Sequence, residues 1–155
     1  MGDNDFFADT PDFADGSKRP EHGRHSGTAG LVVLADDDPD LKAAAREAVL
    51  RLHEFFAAFA QRQPGDLFAV KVPFQDDYGR EYMWVKVSSA DATHVTGRLD
   101  NTPAFVKSIS VGQIVRVPLK GLTDWLVLRA GVLRGGFSIP VIEAKMAQGH
   151  PNQAA

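Results

Sequence analysis

The stretch that decides the fold is Phe68–Phe74, FAVKVPF, followed by Glu81–Val87, EYMWVKV. Side chains in a strand point alternately to opposite faces. Phe68, Val70, Val72 and Phe74 therefore share one face of the first segment, with Lys71 on the other. In the second, Met83, Val85 and Val87 oppose Arg80, Tyr82, Trp84 and Lys86. Asp76-Asp77-Tyr78-Gly79 between them is turn chemistry, which joins the two as an antiparallel pair.

The same period continues downstream. Thr93–Leu99 alternates Val95 and Leu99 with His94, Thr96 and Arg98, and Asp100-Asn101-Thr102-Pro103 breaks it. A short helical turn is expected over Ala104–Ser110, then a strand over Gln113–Leu119. Trp125–Leu128 is a further apolar run, and Ala130-Gly131 can turn it into Val132-Leu133 as a hairpin. Phe137–Met146 suits either a last strand or a short helix.

Upstream the period is helical. Asp38-Pro39 is a start signal, because Asp accepts free N–H groups of the first turn and Pro fits the first helical position. The pattern predicts one helix from Pro39 to Gln63, stopped by Pro64-Gly65. Leu41, Ala45, Ala48, Val49, Leu52, Phe55, Phe56 and Phe59 fall within an arc of about 120°. Leu50 projects opposite that stripe, with Ala43 and Ala57 a heptad away, and forms a shallow second stripe able to pack on another chain.

These elements predict an α+β fold: a long amphipathic helix on a bent, mostly antiparallel sheet of five or six strands, with barrel-like closure left open. The expected core is Leu52, Phe55, Phe56, Phe59, Val70, Val72, Val85, Val115 and Val117. The expected limits are a disordered acidic tail over 1–30, a domain over 31–146 that begins with a short strand at Leu31–Leu34, and a frayed end over 147–155.

Composition excludes several classes. Of the 155 residues 44% are hydrophobic, enough for a core, and no Cys is available for disulfides or thiolate metal sites. No apolar run is long enough to span a bilayer, and the acidic start does not read as a secretory signal, so cytoplasmic residence is expected. Residues 1–40 hold ten acidic and three basic side chains, against ten acidic and fourteen basic in the remainder. A solvated acidic tail on a mildly basic body is the preferred reading; an arm competing with an anionic ligand is the other.

The ordered motifs resemble a known family. FAVKVPF, then D-x-x-G-x-E-x-x-W-V from Asp76, T-G-x-L-D-N-x-P from Thr96, V-G-Q-x-V-x-V-P-L from Val111, Asp124-Trp125, and G-x-L-x-G-G-F-S-I from Gly131 resemble the bacterial domain of unknown function 2314 family. The helix sequence DDDPDLKAAAREAVLRLHEFF is similar to what precedes that domain, and the resemblance covers about residues 31–143. Tyr82 departs from a His expected in many relatives. The family implies no activity; its occurrence alone or beside ankyrin repeats implies interaction contexts.

Candidate binding residues are Tyr82, Trp84, Lys86, Arg98, Asp100, Asn101, Asp124 and Trp125. Tyr82 and Trp84 among Arg80, Lys86, Arg98 and Arg116 could stack bases and attract phosphates, provided Trp84 is exposed; burial beneath the long helix is the preferred reading. Asp100, Asn101 and Asp124 suit turn bracing, with Trp125 in the core, or a polar grip on a ligand. No spacing assembles a nucleophile with a base, a metal set or a phosphate loop, so no catalytic residue, cofactor or metal is assigned. The favoured function is a non-enzymatic binding module, with protein as partner. A single-stranded nucleic-acid-binding domain is the first alternative, and a small enzyme using Asp100 and Asp124 the second.

Overall fold

The computed structural model describes residues 38–148. The expected tail, the Leu31–Leu34 strand and the end beyond 148 lie outside the described residues. Two helices, α1 (Pro39–Leu50) and α2 (Leu52–Ala60), precede six strands: β1 (Leu67–Asp76), β2 (Gly79–Ala90), β3 (His94–Leu99), β4 (Ile114–Pro118), β5 (Asp124–Arg129) and β6 (Val132–Gly135). Helix α3 (Ser138–Gln148) follows. The order across the sheet is β4-β3-β2-β1-β5-β6, every pair antiparallel.

The α+β class and the antiparallel sheet are as expected; the single long helix and the helical turn over Ala104–Ser110 are not, and two matters the sequence left open, barrel closure and the form of Phe137–Met146, are answered. The single helix is two, separated at Arg51 (φ −105°, ψ 11°). A helix end leaves its last carbonyls without intrahelical donors. Here the indole N–H of Trp125 donates to the Ala48 carbonyl at 2.9 Å, a partner the local sequence cannot reveal. The sheet is open, with β4 and β6 as edges, so it does not close as a barrel. It is nonetheless bent. The Leu119 N–H donates to the Thr93 carbonyl and the Thr123 N–H to that of Lys71, and four residue steps span at most about 15 Å. Finally, Phe137–Met146 resolves as helix, while Ala104–Ser110 forms no helical turn.

At the start of α1 the Asp38 carboxylate accepts the Asp40 N–H at 2.9 Å, with Pro39 in the first turn, as expected. The main core lies on the inner face of the sheet. Phe55 and Phe59 of α2 meet Phe68 edge-on, and Phe55 also meets Trp125. Val70, Val72, Met83, Val85, Leu99 and Val127 complete that layer. Leu52, Phe56 and Val115 pack against it only half-buried, and Val49 is exposed, a correction to the expected stripe. One helical step is about 100°, and it turns Val49 away from the line through Ala44 and Ala48 that faces inward.

The outer face holds a second cluster: Leu67, Ala69, Trp84 and Leu126, with Ile139 of α3 packed on it. Trp84 is thus buried as preferred, but on the face away from Phe55 and Phe59.

Candidate functional site

One row of residues crosses the outer face. The Asp100 N–H donates to the Trp84 carbonyl at 3.0 Å, Trp84 stands opposite Lys71, and Lys71 stands opposite Asp124. The Lys71 ammonium lies 5.8 Å from the centre of the Trp84 ring. Asp124 is buried and accepts four donors: the N–H of Trp125 at 2.8 Å, of Phe137 at 3.0 Å and of Ser138 at 2.8 Å, and the Ser138 hydroxyl. It thereby fixes the bend into α3, where Gly135 and Gly136 both have positive φ. Burial pushes the Asp124 carboxyl up against the lowering effect of those donors, and pushes the Lys71 ammonium down against the attraction of Asp124.

Above this row is a cavity of about 240 Å3. Lys71, Tyr82 and Thr123 line it from the sheet side, Leu41, Lys42 and Ala45 from α1, and Ser138 and Ile142 from α3. α1 and α3 are tied together beside it by Lys145, 3.2 Å from Asp38 and 3.4 Å from Asp40.

The expected site residues divide. Trp84 is 0% exposed, so the base-stacking face lacks its central ring. Tyr82 is half-buried, with the Arg80 guanidinium 4.8 Å over its ring. Lys86 and Arg98 stand opposite each other, and Arg98 donates to the Gly112 carbonyl at 2.8 Å. Asn101 is buried, and its Oδ1 accepts the Trp84 N–H at 2.6 Å. Trp125 belongs to the inner core. Asp100 and Asp124 end the cross-strand row three strand spacings apart, about 14 Å along the sheet, and do not form a carboxylate pair.

Two other carboxylates are committed to structure. Glu81 accepts the N–H groups of Ala104, Phe105 and Val106 at 3.0, 2.6 and 2.7 Å. Asp76 accepts those of Lys107 and Ser108 at 2.8 and 2.9 Å. These five donors hold 104–108 as an irregular, bent segment in place of a helical turn. Sequence reasoning placed Lys71 on the polar side of its strand but missed its burial beside Asp124, and gave Ser138 no role. The one available signal was a Lys inside the apolar run FAVKVPF. Among the described residues no group of three His, Asp or Glu is placed to hold a metal ion.

An open antiparallel sheet with helices on both faces and a small lysine-containing cavity defines a compact α+β domain. The chain belongs to the family described as "Uncharacterized protein conserved in bacteria (DUF2314)", which matches residues 38–154. It is 31% identical over 87 residues to a putative ankyrin repeat protein of Neisseria meningitidis serogroup B, covering 54% of this chain and 34% of that protein. It is 26% identical over 84 residues to the uncharacterized protein YegJ of Escherichia coli K12, covering 54% and 55% respectively. The chain therefore matches about a third and about half of the lengths of these relatives. No solved structure matches it. No described helix is long and apolar enough to cross a membrane.

Proposed function

We propose that this protein is a non-enzymatic interaction module whose partner is another protein. The observation that carries this reading is the outer side of α1, where Leu50 is 73% and Val49 57% exposed. Ala43 and Ala57 are exposed as well, so the shallow second stripe lies open to solvent. Adjacent large apolar side chains on a helix whose other side is already packed suit a partner surface. The meningococcal relative supports the reading through its name, since ankyrin repeats are stacked scaffolds with extended binding surfaces. The nucleic-acid alternative lacks an exposed Trp84, and the enzyme alternative lacks a carboxylate pair.

The test is affinity capture from the native host with the wild-type chain and with Leu50→Glu, both checked for equal thermal stability. We expect a partner retained by wild type and lost by the variant, and then confirmed with purified components. An identical set of captured proteins on both baits would refute the α1 surface.

A further inference from the structure

We propose that the cavity between α1, α3 and the outer sheet face binds a small carboxylate carried on a short apolar stem, with Lys71 as the receiving ammonium. Lys71 is 9% exposed and lines the cavity, yet it has no hydrogen bond or ion pair with the protein among the described residues. No acceptor among the described residues answers its three donors, and the Trp84 ring 5.8 Å away offers only a weak cation–π attraction, so a largely buried ammonium facing the cavity favours an anion there. Asp124 is near enough to attract it but cannot answer it: a carboxylate offers about four lone-pair sites, and Asp124 already accepts four donors.

The walls choose the ligand class. Lys71 deep in the cavity and Lys42 in its lining oppose a cation and favour an anion. Leu41, Ala45 and Ile142 offer an apolar surface, which suits a stem and disfavours bare phosphate. At about 240 Å3 the space falls below the usual range of roughly 300–1,000 Å3 for drug-sized ligands, so a nucleotide is too large and a small organic acid fits. Burial alone lowers the proton affinity of Lys71, and an anion beside it would restore the charged form. This site is separate from the exposed Val49–Leu50 surface, so either proposal can fail without the other.

The test is calorimetric titration of the full chain with benzoate, against its neutral counterpart benzamide and against inorganic phosphate. We expect saturable benzoate binding, with benzamide and phosphate each at least about tenfold weaker, which corresponds to about 1.4 kcal/mol. Lys71→Met keeps the length of the side chain without its charge and should weaken benzoate by about tenfold or more. Ile142→Trp fills the cavity from α3, leaves Lys71 in place, and should also abolish binding, which keeps the test decisive if Lys71→Met fails to fold. Equal affinity for benzamide, tighter binding of phosphate, undiminished binding by Ile142→Trp, or no benzoate binding at millimolar concentration would each overturn the proposal.

Discussion

The Glu81 carboxylate accepts the Val106 N–H at 2.7 Å across 25 residues of sequence. With Ala104 and Phe105 it gathers three successive N–H groups beneath the β1–β2 hairpin. Hydrogen bonds to an ionised acceptor are stronger than neutral ones. Glu81→Gln retains the shape but turns an amide NH2 toward donors. We expect a loss of about 2–3 kcal/mol and faster hydrogen exchange at Ala104, Phe105 and Val106. Unchanged protection of those amides would show that the loop is held by other contacts.

Asp76 makes the neighbouring half of that cradle sensitive to acid. Burial raises its pKa, but hydrogen bonds from Lys107, Tyr78 and Ser108 outweigh this and hold it at about 2, below the ordinary 3.8. The folded state therefore takes up this proton less readily than the unfolded chain. Its contribution to stability is complete above about pH 4 and is lost as pH falls toward 2. Asp124 works the other way: burial raises its pKa, so its ionisation opposes folding as pH rises through and beyond 3.8. Asp76→Asn should flatten the fall in Tm between about pH 4 and pH 2. An equally steep fall in wild type and variant would assign acid sensitivity elsewhere.

Phe55 and Phe56 are adjacent, and their burial separates them. Phe55 is fully buried among Phe59, Phe68 and Trp125, whereas Phe56 only flanks the core. Phe55→Ala should cost about 3–5 kcal/mol and Phe56→Ala clearly less. Chemical denaturation of both variants checks the order. A larger loss at Phe56 would mean that α2 is rotated from the position described here.

Local pattern made much of this fold legible. The period-two runs placed β1, β2, β3 and β4, a continuous apolar run placed β5, and Asp38-Pro39 placed the start of α1. Features set by distant partners were hidden. The break at Arg51 coincides with an indole from 77 residues away reaching Ala48. The irregular 104–108 segment depends on Glu81 and Asp76. Periodicity named the face of Lys71, but its burial required α1 and α3 to close over the sheet. Asp124 could be recognised as a bracing residue, while its partner Ser138 could not, because a sharp bend at Gly135-Gly136 does not itself say which side chain the returning chain brings to Asp124.

The β5–β6 hairpin supplies the last prediction. Its turn places Ala130 at φ 52° and Gly131 at φ 78°, so both central residues are left-handed. That pair matches the tight turn preferred by twisted antiparallel strands, which favours Asn-Gly over Ala-Gly. Ala130 is the one positive-φ residue other than glycine among the described residues, and its Cβ is strained there. Ala130→Asn should stabilise by about 0.5–1 kcal/mol, because Asn tolerates this conformation. Gly131→Ala should destabilise although nothing lies within 4 Å of the added Cβ, since the cost comes from φ alone. Denaturation midpoints of the two variants on either side of wild type would support this turn; a destabilised Ala130→Asn would contradict it.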